Sequence, residues 1–151
     1  MRRKDRQESD QTTMEAIIRQ AQVCRLGLSD DGRPYVVPMS FGYRDRAFYF
    51  HCAHEGRKIE IMRRNPHVCI EVDIDTELVP AAEAHQFTMR FKSVIAFGTA
   101  SFEDDPAEKR AALDILMAQY AEGEWAYPDK QVNRTCIFRV DVEEMTGKVS
   151  G

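Results

Sequence analysis

The sequence predicts a small antiparallel β-barrel flanked by helices, a mainly β (α+β) fold, and three observations carry that expectation. Segments of alternating apolar and polar residues are joined by tight turns, "DDG" at 30–32 and "RDR" at 44–46, far shorter than the crossover a parallel pair needs. Helical periodicity is confined to three segments instead of following every strand, which argues against a parallel α/β sheet. Neither GxGxxG nor GxxxxGK occurs, so the Gly-rich phosphate loops of nucleotide-binding α/β folds are missing.

Taken in order, residues 1–12 are expected to be an N-terminal tail and residues 13–151 a single domain. The opening "RRK" is balanced by Asp5, Glu8 and Asp10 and reads as solvated chain. A first helix is expected over about 13–22, with Thr12 or Thr13 as N-cap and Met14, Ile17, Ile18 and Ala21 on one face. "VCRLGLS" then alternates Cys24, Leu26 and Leu28 against Val23, Arg25 and Gly27 as the first strand. "PYVVPMSFGY" is the return strand, and its Pro38 places it at a sheet edge or a bulge because proline donates nothing to a ladder. "AFYFHCA" completes a three-stranded meander.

Beyond Gly56, "RKIEIMRRNP" reads as a short helix stopped by Asn65 and Pro66, and "HVCIEVDI" as the fourth strand. Residues 75–86 are expected to be a connecting loop and residues 87–103 a long strand. "DDPAEKRAALDILMAQYA" is the strongest helix, with Asp104 or Asp105 as N-cap, Pro106 in the first position, and Leu113, Leu116, Met117 and Tyr120 on one face. "TCIFRVDVEEMTG" is the last of about six strands.

Composition narrows the function. The net charge of −4 and a pI near 5.6 argue against a nucleic-acid partner, which demands clustered Lys and Arg. No apolar run reaches the ~18 residues of a membrane span, and the N-terminus shows no secretory pattern, so a cytoplasmic location is expected. Cys24, Cys52, Cys69 and Cys136 are scattered without a CxxC and read as buried thiols, not disulfides or a zinc framework.

The densest chemistry lies in "HCAHEGRK", residues 51–58. As a metal site it would use His51, Cys52 and His54, but Arg57 and Lys58 repel a dication, and no second ligand pair stands at zinc spacing; no metal is expected. As an anion site it is better built. A strand ends, the chain turns through Gly56, and a helix begins with Arg57 and Lys58, joining free amides and the positive helix end to two cations suited to phosphate. The bland alternative for the two cations is a solvated helix face.

The run from "PYVVPMSFGYRDRAFYFHCAHEGRKIEIMRRNPHVCIEVD", with "FKSVIAFGTASFED", "DPAEKRAALDILMAQY" and "EMTGK", resembles the FMN-binding split-barrel proteins related to pyridoxamine 5′-phosphate oxidase, nearest to their nitroimidazole-resistance (Nim) branch. The resemblance covers about residues 15–148. It implies a six-stranded antiparallel split barrel of Greek-key topology and a homodimer with FMN at the interface. It sets the FMN phosphate against Arg57 and Lys58, with His51, Cys52 and Gly56 nearby, and the ring alongside Val37, Pro38, Met39 and Ser40. Lys92, Ser93 and Val94 would approach from the dimer interface. His51 matches the histidine that Nim-type proteins hold beside the flavin, and imidazole as a residue type suits proton delivery. True pyridoxamine-phosphate oxidases end in an arginine-bearing substrate motif that "FRVDVEEMTGKVSG" lacks, so the vitamin B6 reaction does not carry over. The implied activity is an FMN-dependent oxidoreductase passing electrons from a small donor such as a reduced nicotinamide to a small acceptor such as a nitroaromatic. The alternatives are a non-catalytic flavin-binding storage or sensor protein, or a haem- or deazaflavin-binding barrel with His51 or His85 as axial candidate for haem.

Overall fold

The computed structural model describes residues 3–151; the first two residues of the expected tail, including Arg2 of "RRK", lie outside them. After a short 3-10 turn at Lys4–Arg6, the chain forms β1 (Gln7–Glu8), α1 (Gln11–Gln20), β2 (Cys24–Asp30), β3 (Arg33–Met39), β4 (Gly42–Arg44), β5 (Ala47–Cys52) and α2 (Arg57–Arg64). There follow β6 (His67–Val79), β7 (Thr88–Glu103), α3 (Pro106–Ala118), α4 (Asp129–Arg134) and β8 (Cys136–Ser150). All strand pairs are antiparallel and run in the order β3-β2-β6-β7-β8-β5-β4, with β1 on β8.

Among the described residues eight strands replace the expected six, for two local reasons. Gln7 and Glu8 pair with Lys148 and Gly147, and the expected return strand is broken between Met39 and Gly42 into two strands at opposite edges of the sheet. That break defines the architecture. Two residues, Ser40 and Phe41, carry the chain from one edge to the other, three Cα–Cα steps of at most roughly 11 Å, so the sheet is curled nearly into a barrel with a seam between β3 and the β4–β5 edge. Pro38 sits on edge strand β3, where one side of the ladder is open and a missing N–H costs little.

The barrel core is apolar and continuous. Cys24, Leu26 and Leu28 point inward from β2, as their alternation predicts, against Ile70, Val72, Val94, Phe50 and Phe138. Phe50 and Phe138 stack at 4.7 Å, a cross-strand pair in register of the kind that stabilises sheets. Ile59, Ile61 and Met62 bury one face of α2, and Met14, Ile17 and Ile18 one face of α1.

Other boundaries differ from expectation. The α1 N-cap is Asp10, accepting from the Thr13 amide at 2.9 Å, in place of Thr12 or Thr13. The expected loop at 75–86 is largely strand, since β6 runs on to Val79 past a bulge between Ile74 and Glu77, leaving a 3-10 turn at Ala84–Gln86. α4 is a fourth helix beyond the three expected. α3 begins as expected at Pro106 with Asp105 as cap, and it crosses β4 closely. A Cβ on Gly42 would lie 2.6 Å from the Ile115 carbonyl oxygen, so only glycine fits that crossing.

The end of α3 ties the seam to α1. The Tyr120 hydroxyl accepts from the Phe41 amide at 3.0 Å and donates to the Gln22 carbonyl at 2.7 Å. The Gln119 side-chain amide lies within 3.1 Å of the Ile18, Arg19 and Ala21 carbonyls, sharing the first with the Ala21 amide and helping to satisfy the carbonyls at the helix end.

Candidate functional site

β3 and β5 carry most of the expected cofactor residues, and they lie on the two sheet edges that flank the seam. β4 pairs with β5 only as far as Gly42↔Tyr49. Carrying that register two residues further sets Ser40 opposite His51, and three further sets Met39 opposite Cys52. Among the described residues no ladder joins β3 to β5, so two strand edges with unpaired main-chain groups line the split there. Unpaired edges must find other partners, and a planar heterocycle with polar edges is one class of group that satisfies them.

α2 starts beside this split. Gly56, at φ 134, precedes it with no side-chain cap. The first helical bond is Glu60 N–H to the Gly56 carbonyl at 3.1 Å, leaving the amides of Arg57, Lys58 and Ile59 without intrahelical partners. The Arg57 guanidinium lies over the Tyr35 ring of β3, 4.7 Å from its centre. Lys58 is half-buried and acts on the Cys52 thiol of β5. The two cations thus reach opposite banks of the seam, and with the free amides they make a donor set that fits a phosphate group.

Strand alternation divides the remaining residues between two faces. Val37 and Met39 pack towards the core and Pro38 and Ser40 are exposed on the outer face. His51 is exposed on the face of β5 opposite to Cys52 and pairs in register with Ile137. Lys92 ion-pairs with Asp75 at 2.8 Å, Ser93 stands between Asp73 and Lys148, and the Val94 side chain is buried in the core. Ser93 is three strands from β3, on the order of 14 Å away at ~4.8 Å per strand; within one chain it is remote from the seam.

The other histidines are accounted for locally. The His54 Nε2 lies 3.0 Å from the Asn133 carbonyl, His85 lies 3.4 Å from Glu83, and His67 is exposed. Trp125 is exposed and the Tyr127 hydroxyl donates to Asp114 at 2.9 Å. Among the described residues no three His, Cys, Asp or Glu side chains gather as metal ligands.

The outer face carries a feature that sequence reading missed. Register places Val36, Gly27, Cys69 and Phe97 in one row and Pro38, Arg25, Glu71 and Ile95 in the next. Val36, Phe97 and Ile95 are 62%, 49% and 40% exposed, an apolar surface on an otherwise polar sheet face. The signal was in the sequence: "SVIAFG" breaks the polar/apolar alternation at Ile95 and Phe97.

Comparison with known proteins agrees with this architecture. Residues 10–149 match the pyridoxamine 5′-phosphate oxidase family, and the chain belongs to it. Among solved structures, a candidate 5-nitroimidazole antibiotic resistance protein from Bacteroides thetaiotaomicron is 41% identical, with a TM-score of 0.86 over 95% of this chain and 86% of that one. The flavocytochrome Anf3 from Azotobacter vinelandii is 26% identical, with a TM-score of 0.89 over 100% of this chain and 72% of that one. An FAD-binding protein from Mesorhizobium loti is 26% identical, with a TM-score of 0.70 over 95% of this chain and 96% of that one. No curated protein matches the chain. Among the described residues no helix is long and apolar enough to cross a membrane.

Proposed function

We propose that this protein is a cytoplasmic homodimeric FMN-dependent oxidoreductase of the Nim-like class, taking electrons from a reduced nicotinamide or similar donor and reducing a small acceptor such as a nitroaromatic. The observation that carries the reading is the unpaired seam between β3 and β5 with Arg57 and Lys58 at its end. The similarity to the Bacteroides thetaiotaomicron protein supports the Nim-like class, and the flavin named for the Mesorhizobium loti neighbour supports the cofactor type. A terminal phosphate on a helix start favours FMN over the dinucleotide named there.

In this reading Arg57, Lys58 and the amides after Gly56 hold the phosphate, with Cys52 beside Lys58. The main chain of Val37, Pro38, Met39 and Ser40 orients the polar edge of the ring. His51, exposed on the same outer face as Pro38 and Ser40, holds or moves a proton. Lys92, Ser93 and Val94 serve the cofactor from the second copy, which fits the separation of Ser93 from the seam. The exposed Val36, Ile95 and Phe97 then lie against that copy, and their burial excludes water from the site. Bound FMN would supply a reversible carrier of two electrons and a proton.

The test is cofactor retention. Arg57→Ala with Lys58→Ala is expected to purify folded but colourless, whereas the native chain carries flavin released as FMN on denaturation. A double variant as yellow as the native protein refutes the anchor, and released FAD or a haem spectrum refutes the cofactor. Oxidation of NADH or NADPH with a nitroaromatic acceptor, no faster than with free FMN, refutes the enzymatic reading.

A further inference from the structure

Cys52 and Cys136 are the last residue of β5 and the first of β8, and they stand directly opposite one another in the ladder. Directly opposed antiparallel residues have Cα atoms roughly 4.5–5.5 Å apart, inside the roughly 4.4–6.8 Å span that a disulfide bridges. Both side chains lie on the face that stacks Phe50 on Phe138, and each thiol lies close enough to perturb the other. Lys58 stands near Cys52, and Arg63 and Lys109 near Cys136, where Asp104 opposes them; the cations ease thiolate formation but burial outweighs them.

We propose that Cys52 and Cys136 form a reversible intramolecular disulfide when the folded protein meets hydrogen peroxide. One thiol attacks the peroxide O–O bond, giving a sulfenic acid and one water. The second thiol attacks that sulfur, forming the S–S bond and expelling the hydroxyl as a second water. Two thiols are oxidised by two electrons, the peroxide is reduced by two, and a dithiol reverses the change by exchange. Cys24, buried on β2, and Cys69, half-buried on β6, are not opposed to another cysteine in the ladder. This inference rests on the pairing of β5 with β8 and not on the cofactor reading.

Reaction is expected to be slow at neutral pH, because burial pushes the Cys52 thiol up to about 12 against the pull of Lys58. Below that value the thiolate fraction, and with it the rate, rises about tenfold per pH unit.

The experiment uses the native full chain treated with hydrogen peroxide, alkylated in acid, and digested with trypsin. The four free thiols are expected to fall to two. Fragments 47–57 and 135–139 are expected to be joined, and dithiothreitol to separate them. Cys52→Ser and Cys136→Ser should each abolish the joined fragment, with Cys24→Ser and Cys69→Ser leaving it. Should a serine variant unfold, the native digest still decides. Loss of thiols without a joined fragment, a link to Cys24 or Cys69, or a link between chains overturns the proposal.

Discussion

The Arg57 guanidinium rests on the Tyr35 ring, 4.7 Å from its centre, so an exposed cation at the mouth of the seam is held by an aromatic side chain of the edge strand. Tyr35 lies opposite Leu28 and packs against the core, which fixes the ring. A cation over an exposed aromatic face is worth about 0.5–1 kcal/mol. Tyr35→Leu keeps the apolar contact and removes the ring face. FMN affinity, followed by quenching of flavin fluorescence, is expected to weaken about 2–5-fold on that energy, with little change in thermal midpoint. Unchanged affinity would mean that Arg57 takes its position without Tyr35.

Tyr120→Phe tests the fastening of the seam. The hydroxyl bridges the Phe41 amide and the Gln22 carbonyl, and its loss leaves the part-buried amide without that partner. Stability is expected to fall by about 1–3 kcal/mol, seen as a lower urea midpoint with an unchanged slope. An unaltered midpoint would show that water replaces the hydroxyl at both ends.

Phe97→Asp addresses the assembly. Phe97 and Ile95 stand out from β7 and Val36 from β3, on the face proposed to meet a second copy. A charge placed there would be desolvated in the dimer and solvated in the monomer, so the variant is expected to elute as a monomer in light-scattering chromatography and to lose flavin. A variant that stays dimeric and yellow would move the interface elsewhere.

Helices α2 and α3 were legible in the sequence because each is punctuated by residues with one meaning: Gly56 before and Asn65–Pro66 after the first, Asp105 and Pro106 at the start of the second. The proposed phosphate anchor rests on the same punctuation, since Gly56 sets Arg57 and Lys58 at the first positions of α2. The start of α1 was not, because Asp10, Thr12 and Thr13 are all good capping residues and Thr13 donates to Asp10 instead of capping itself. The extension of β6 through "DTELV" defied local propensity, since its ladder is supplied by Arg90, Met89 and Thr88 across the bulge. The seam was hidden for a different reason. "PYVVPMSFGY" is continuous as a pattern, and only pairing between distant strands reveals that Ser40 and Phe41 carry the chain from one sheet edge to the other. Pairing at long range likewise set Cys52 against Cys136 and Glu71 beside Ile95.

Glu71 is the carboxylate for which this outer face has a measurable cost. It lies between Arg25 on β2 and Ile95 on β7. Burial raises its pKa, the nearby Asp73 adds to the rise, and Arg25 opposes it; Arg25 is itself engaged by Asp73 at 3.2 Å. A carboxyl whose folded pKa exceeds its unfolded value of about 4.3 binds its proton more tightly in the native state. Its favourable contribution is therefore present below the unfolded value and lost as pH rises through the folded one. At pH 7 the charged form penalises folding, so Glu71→Gln is expected to raise the thermal midpoint there. The gain should close as pH falls through the folded pKa, because both variants are then neutral at this position. The wild-type pH profile, measured by calorimetry in parallel with the variant, carries the sign. A Gln variant less stable than wild type at pH 7 would mean that attraction to Arg25 outweighs burial.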